Sequence, residues 1–194
     1  MICVGVTGYF GSGKTTALSY LKDFDFLCLD SDTIVHELYE PNRDGWKKIN
    51  DFFGNEFLKK NNGAVNRAKL GKIVFNNPAK LRILEKIIHP LVYNEIQKVL
   101  QKNKDKNVAI EAIKFDENKL GKKIDYLIVV ETDMHLAYKR FAEKRNLTFE
   151  QFEGILEVQN IPTNPDFVVK NNGSKNDLKK QIQKIAERII SQNS

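Results

Sequence analysis

The sequence predicts an α/β protein: a five-stranded parallel sheet flanked by helices, with a mostly helical insertion. Three observations carry this. Short apolar runs alternate with helical patterns along the chain, as in a parallel sheet wrapped by crossover helices. The first run leads straight into a glycine-punctuated turn and a helix start, MICVGVTGYFGSGKTTALSY over residues 1–20. The polar, mostly helical stretch from about residue 33 to 106 is too long for an ordinary crossover.

The elements follow in chain order. Ile2–Thr7 is continuously apolar, the pattern of a strand buried on both faces. A second such run, Phe26–Leu29, is followed at once by Asp30-Ser31-Asp32 and a helix beginning near Thr33. The insertion, punctuated by Pro41, Gly54, Gly63, Pro78 and Pro90, reads as a substrate-holding substructure. Val108–Ile113, Tyr126–Val130 and Phe167–Val169 are the remaining candidate strands. Thr148 with Gln151 forms a capping box that opens a helix through Gln159. In the last helix Leu178, Ile182, Ile185 and Ile189 make one apolar face, which is ordinary packing.

The 194 residues suit a single domain, with the insertion at 33–106. Lys and Arg outnumber Asp and Glu by 31 to 25, giving a net charge of +6, which suits a polyphosphate substrate as well as a nucleic acid. Charge alone does not choose between them. The lysine-rich pieces Lys102–Lys106 and Lys122–Lys123 lack interleaved aromatics, so they read as solvated loops and no nucleic-acid partner is expected. Cys3 and Cys28 both lie in apolar strand-like runs and read as reduced core residues. No run approaches the roughly 18 apolar residues of a membrane span, and no basic leader precedes the first strand, so a cytosolic protein without a membrane partner is expected. Nothing in the sequence sets an oligomeric state.

The chemistry begins with Gly8, Gly13, Lys14 and Thr15, which have the G-x-x-x-x-G-K-[ST] spacing of a phosphate-binding P-loop. At average composition the four fixed positions coincide in roughly one chain of this length in a hundred, and here the required strand precedes them. Small residues let successive backbone N–H groups curl round phosphate oxygens, and the positive end of the next helix faces the anion. Gly11, Ser12 and Thr16 complete the expected cradle. Lys14 is placed to neutralise the β- and γ-phosphates, and the Thr15 hydroxyl to ligate Mg²⁺. Asp30 and Asp32, read as an extended strand end, point to the same side. One would hold the metal while the other orients or deprotonates an acceptor hydroxyl, with a helix cap as the structural role available to either. A P-loop beside two such carboxylates suggests a small-molecule kinase.

On these residues the chain resembles the dephospho-coenzyme A kinases. The resemblance runs through TGYFGSGKTT, LDSDTIVHEL and FFGNEFLKKNNGAVNRAKLGKIVFNNPAKLRILEKIIHPLV, then IDYLIVVET, LTFEQFEGILEVQ and DFVVKNNGS. It implies a P-loop kinase fold with a small lid at residues 140–166, and ATP-dependent phosphorylation of the 3′-hydroxyl of dephospho-CoA, with Mg²⁺ as cofactor. Carried onto this sequence, it makes Asp32 the general base and Asp30 the metal or water organiser. Arg67, Phe75 and His89 become acceptor contacts; the Arg67 guanidinium is a planar fork suited to phosphate. Judged alone, His89 would be a satisfied helix end, since Pro90 follows it. Arg140, with Lys144 and Arg145, becomes a basic lid that stabilises charge on the transferring phosphoryl group. Asn171, Asn172 and Gly173 become part of the adenine pocket.

The chain departs from the family pattern at Gly8-Tyr9, where Gly-Gly is usual, and at Ala112-Ile113-Lys114-Phe115-Asp116, where Pro-Leu-Leu-Phe-Glu is usual. It also carries Lys144 in place of an arginine and has a short 160–165 segment. A shikimate-kinase-like enzyme, which also uses an Asp-x-Asp pair, would add a Gly-Gly-Gly motif at the third strand. Val108–Ile113 is followed by none, and such an enzyme leaves the long insertion unexplained.

Overall fold

The computed structural model describes residues 1–75, 77–112, 123–142, 145, 147–157, 159 and 161–193. Two compact units divide the chain. The first comprises residues 1–30 and 103–194, and the second residues 31–102.

In the first unit, among the described residues, five strands form one parallel sheet: β1 (Cys3–Thr7), β2 (Leu27–Asp30), β3 (Val108–Glu111), β4 (Tyr126–Glu131) and β5 (Phe167–Lys170). Their spatial order is β2-β3-β1-β4-β5, so β1 lies at the centre with every residue buried. The expected strands are all present, shifted by one or two residues at their ends. Ile113, the expected end of the third strand, lies outside the described residues with the rest of the run to Asp116, as do Lys122 and Lys144. Val4, Val6, Ala109, Ile128 and Val130 meet Leu18 and Leu21 of α1 (Lys14–Leu21) and Leu178, Ile182 and Ile189 of α8 (Lys175–Ser191) in one core cluster. The apolar face read from the last helix is therefore the face it buries.

Among the described residues, two further α-helices belong to this unit, α6 (Met134–Phe141) and α7 (Phe149–Glu157). The capping box read at Thr148 is present in both directions: Thr148 N–H donates to Gln151 Oε1 at 2.9 Å and Gln151 N–H to Thr148 Oγ1 at 3.2 Å. Ala137, Ala142 and Phe152 form a small cluster here, with Phe10 of the P-loop packed against it.

The second unit is helical: α2 (Ser31–Leu38), α3 (Asp44–Phe53), α4 (Arg67–Phe75) and α5 (Pro78–Lys102). Its core gathers Leu38, Tyr39, Ile49, Phe57, Val65, Leu70, Val74 and Ile88. Two sequence expectations change here. The helix expected near Thr33 starts at Ser31, so Asp32 lies in a first helical turn rather than on a strand end. Pro90 does not start a helix; it lies inside the 25-residue α5, so His89 is mid-helix. An interior proline removes one helical N–H donor at a real cost. The packing of α5 against α2, α3 and α4 outweighs that local penalty.

Among the described residues, no helix is long and apolar enough to cross a membrane.

Candidate active site

The P-loop occupies the carboxyl edge of β1. Ser12 N–H closes the turn onto Tyr9 O at 3.1 Å, and α1 begins at Lys14 with Gly13 as its N-cap residue. Gly13 sits at φ 96° and ψ 25°, the left-handed region that glycine alone enters without strain. Gly11, at φ 78°, packs so tightly on α6 that a Cβ there would run into Ala137 O. Lys14 is buried; its Nζ donates to Tyr9 O at 3.0 Å and lies 5.6 Å from the centroid of the Phe10 ring.

Thr15 Oγ1 donates to Glu111 Oε1 at 3.1 Å. Glu111 is a buried carboxylate ending β3, and the strand register sets it directly beside Asp30, the last residue of β2. Residues paired in register on neighbouring strands project to the same face. The carboxylates this sheet aligns are thus Asp30 and Glu111, whereas the sequence reading paired Asp30 with Asp32. The signal for Glu111 was present, an acidic residue closing the apolar run Val108-Ala109-Ile110, but the sequence does not reveal which strand lies next to β2.

The residues after β5 reach back to the P-loop. Asn171 is buried, and its Nδ2 donates to Ser12 O at 2.7 Å. Asn171 O accepts from Arg140 Nη1 at 3.1 Å and from Thr132 Oγ1 at 2.9 Å. Asn172 turns the other way: its Oδ1 accepts from Asp133 N–H at 2.8 Å. It lines an open cavity of about 240 Å³ with Glu131, Thr132, Asp133 and Lys170. Gly173 follows in the same turn, directly before the Ser174–Asp177 capping box of α8.

Gln159 is a residue whose role the sequence reading missed. It served there only as a helix end, yet its Oε1 accepts from the Phe10 N–H of the P-loop at 3.2 Å, and the side chain is buried. Phe10 also stacks on Phe141 of α6, with ring centroids 4.6 Å apart. Arg145 folds over the outer part of this cluster, its guanidinium carbon 4.0 Å from the Phe141 centroid and its Nη1 donating to Phe141 O at 2.7 Å.

In the helical unit, Arg67 opens α4 and lines a cavity of about 290 Å³ with His36, Tyr39, Glu40, Lys59 and Asn66. Burial pushes the Tyr39 hydroxyl up to about 12, and the positive charge of Arg67 opposes that shift. Phe75 closes α4, and its side chain lies outside the described residues. His89 is exposed on α5 and does not line this cavity.

A family model described as dephospho-CoA kinase matches residues 2–177 of the chain. A dephospho-CoA kinase of Dehalococcoides mccartyi is 33% identical over 197 residues, which is 98% of each chain. That of Lactobacillus johnsonii is 32% identical over 195 residues, covering 96% of this chain and 97% of its own. A solved structure titled as the dephospho-CoA kinase from Campylobacter jejuni superposes with a TM-score of 0.69 at 24% identity, over 99% of this chain and 98% of that one. The P-loop with its flanking turn and the helical unit around Arg67 thus fall within one continuous match, and the chain belongs to the dephospho-CoA kinase family.

Proposed function

We infer that the chain transfers the terminal phosphoryl group of ATP to the 3′-hydroxyl of dephospho-CoA. The observation that carries this reading is the single family match over residues 2–177, which takes in both the phosphate-binding loop and the helical unit. A P-loop alone would suit any nucleotide enzyme.

In this reading the P-loop unit holds the donor. Backbone N–H groups of the loop, those of Gly11 and Gly13 among them, cradle the phosphates, and the Lys14 ammonium, which donates to Tyr9 O in this structure, turns to β/γ-phosphate oxygens. The residues present suit Mg²⁺: the Thr15 hydroxyl and the neighbouring Glu111 and Asp30 carboxylates are hard oxygen donors gathered at one edge. Bound there with the phosphates, the ion would neutralise charge developing on the transferred group. Asn172 and Gly173 border the adenine, and Arg140, with Lys144 and Arg145 of the lid region 140–166, serves the phosphoryl group.

The helical unit holds the acceptor. Arg67 and Lys59 offer cationic donors for the acceptor's phosphates in the cavity they line, and Tyr39 offers an un-ionised hydroxyl. Phe75 and His89 belong to the same acceptor surface in this reading. Asp32 receives the proton of the 3′-hydroxyl as that oxygen attacks the γ-phosphorus and the bond from γ-phosphorus to the bridging oxygen breaks, releasing ADP. The setting is cytosolic, which agrees with two free cysteines in the fold.

The test is release of ADP from ATP and Mg²⁺ with dephospho-CoA, shikimate or RNA as alternative additions. Turnover stimulated by dephospho-CoA alone is the expected result. Stimulation by shikimate or RNA with none by dephospho-CoA would overturn the reading.

A further inference from the structure

The family resemblance puts Asn171 in the adenine pocket with Asn172 and Gly173, yet its side chain faces the P-loop, with Nδ2 on Ser12 O. We propose that Asn171 is a positioning residue for the triphosphate: its amide holds the Ser12–Gly13 peptide so that the Gly13 N–H is presented to the phosphates. The inference rests on the donor-site reading above and assigns a residue to it.

The peptide plane makes the connection. In a trans peptide the C=O of one residue and the N–H of the next point in opposite directions. Asn171 Nδ2 holds Ser12 O at 2.7 Å, so the Gly13 N–H is turned away from Asn171. Gly13 flanks this peptide in the left-handed region, where a glycine has several accessible conformations and needs an external tie to keep one. The tie fits closely: a Cβ on Gly13 would run into the Asn171 amide nitrogen. Glycine at position 13 therefore answers two demands, its own φ and the approach of Asn171.

Asn171 is itself held rigidly. Its N–H donates to Glu131 O at 2.8 Å at the end of the β4–β5 ladder. Its carbonyl accepts from Arg140 and Thr132, and the capping box of α8 begins three residues later. With the backbone pinned on both sides and the side chain 6% exposed, the amide cannot swing out to meet a base. A donor held in place in advance costs no reorganisation when the anion arrives. The chemistry also calls for an amide, because the Ser12 carbonyl needs a donor and a carboxylate of the same shape would repel it.

The test compares Asn171→Ala and Asn171→Asp with the wild type, by calorimetric titration of ADP, GDP and adenosine and by steady-state KM for ATP and dephospho-CoA. The expected result is an affinity for ADP about tenfold weaker and a KM for ATP about tenfold higher, the effect larger for Asp than for Ala. Affinity for adenosine, the ADP/GDP preference and the dephospho-CoA KM should stay within twofold. A changed adenosine affinity or ADP/GDP preference with unchanged discrimination between ADP and adenosine would make Asn171 a base contact and overturn the proposal. Unchanged ADP binding in a folded variant would overturn it too. Lys14→Ala is the control: if it also leaves ADP affinity intact, the donor-site reading has failed, whereas loss in Lys14→Ala alone defeats only the role of Asn171. A measurement on the wild type is independent of variant folding. Inorganic pyrophosphate should move the NMR signals of the Gly13 amide and the Asn171 side-chain NH₂ together, and adenosine should move neither; the reverse pattern overturns the proposal.

Discussion

Thr15 Oγ1 donates to Glu111 Oε1 across 3.1 Å, joining the first turn of the helix after the P-loop to a buried carboxylate at the end of β3. The bond spans two elements far apart in sequence and aims a hydroxyl and a carboxylate at one point. Glu111→Gln keeps the shape and the acceptor oxygen but removes the charge. The Mg²⁺ concentration for half-maximal rate should rise by about tenfold or more while the KM for dephospho-CoA holds steady. An unchanged Mg²⁺ requirement would reduce the contact to packing.

Lys14→Ala removes the cation from the phosphate loop. The side chain is not part of the apolar core cluster around β1, so the melting temperature should move by only a few degrees. Activity should fall by about two orders of magnitude or more. Near-normal turnover by the folded variant would remove the phosphate-binding assignment.

Asp32→Asn should leave both substrates binding within a few-fold while kcat drops by about 10²–10⁴, the range for losing a positioned acid–base group. Asp30→Asn, beside Glu111 in register, should instead steepen the Mg²⁺ dependence. Measuring kcat, both KM values and Mg²⁺ titrations for the pair separates the roles. Normal turnover in Asp32→Asn with an inactive Asp30→Asn would exchange them.

Arg67→Ala should raise the KM for dephospho-CoA by about tenfold or more and the KM for ATP by less than twofold, as expected for loss of a ground-state phosphate contact in the cavity lined by Tyr39 and Lys59. The opposite ranking would assign Arg67 to the nucleotide.

Burial pushes the Cys3 thiol from its ordinary 9.0 to about 12, with the Asp125 charge adding to the shift, and pushes Cys28 to about 11. Folding therefore favours the protonated thiol. Below pH 9 folded and unfolded chains both carry that proton and the contribution is whole. From about pH 9 up to the folded value, about 12 for Cys3 and about 11 for Cys28, the unfolded chain ionises first, so stability falls with rising pH by about 1.4 kcal/mol per unit for each such group. Denaturant unfolding across this range should show a shallower alkaline decline in Cys3→Ala than in the wild type, whatever the offset at neutral pH. An identical slope would contradict the shift.

The local parts of the fold were legible because their causes are local. Ile2–Thr7 reads as a strand from its apolar run, Gly13-Lys14-Thr15 as a loop-to-helix turn from its spacing, and Thr148 with Gln151 as a cap from two side chains within one turn. The exceptions were local rules overruled by packing. Pro90 reads as a helix start, but α5 continues through it because its partners in the helical unit stabilise the whole length. Asp32 reads as a strand end, but α2 begins at Ser31.

The α/β class, the P-loop, the long helical unit between the second and third strands and the family can all be read from the chain alone. Those are carried by periodicity, residue type and spacing along the chain. That Asp30 stands beside Glu111, that Asn171 grips Ser12 and that Gln159 meets Phe10 follows from the folded arrangement and from nothing along the chain. Each of these joins residues brought together by strand order or by the return of a distant turn. Strand order is set by how the whole sheet buries its faces between helices, a balance to which many residues contribute and which no short window of the chain contains.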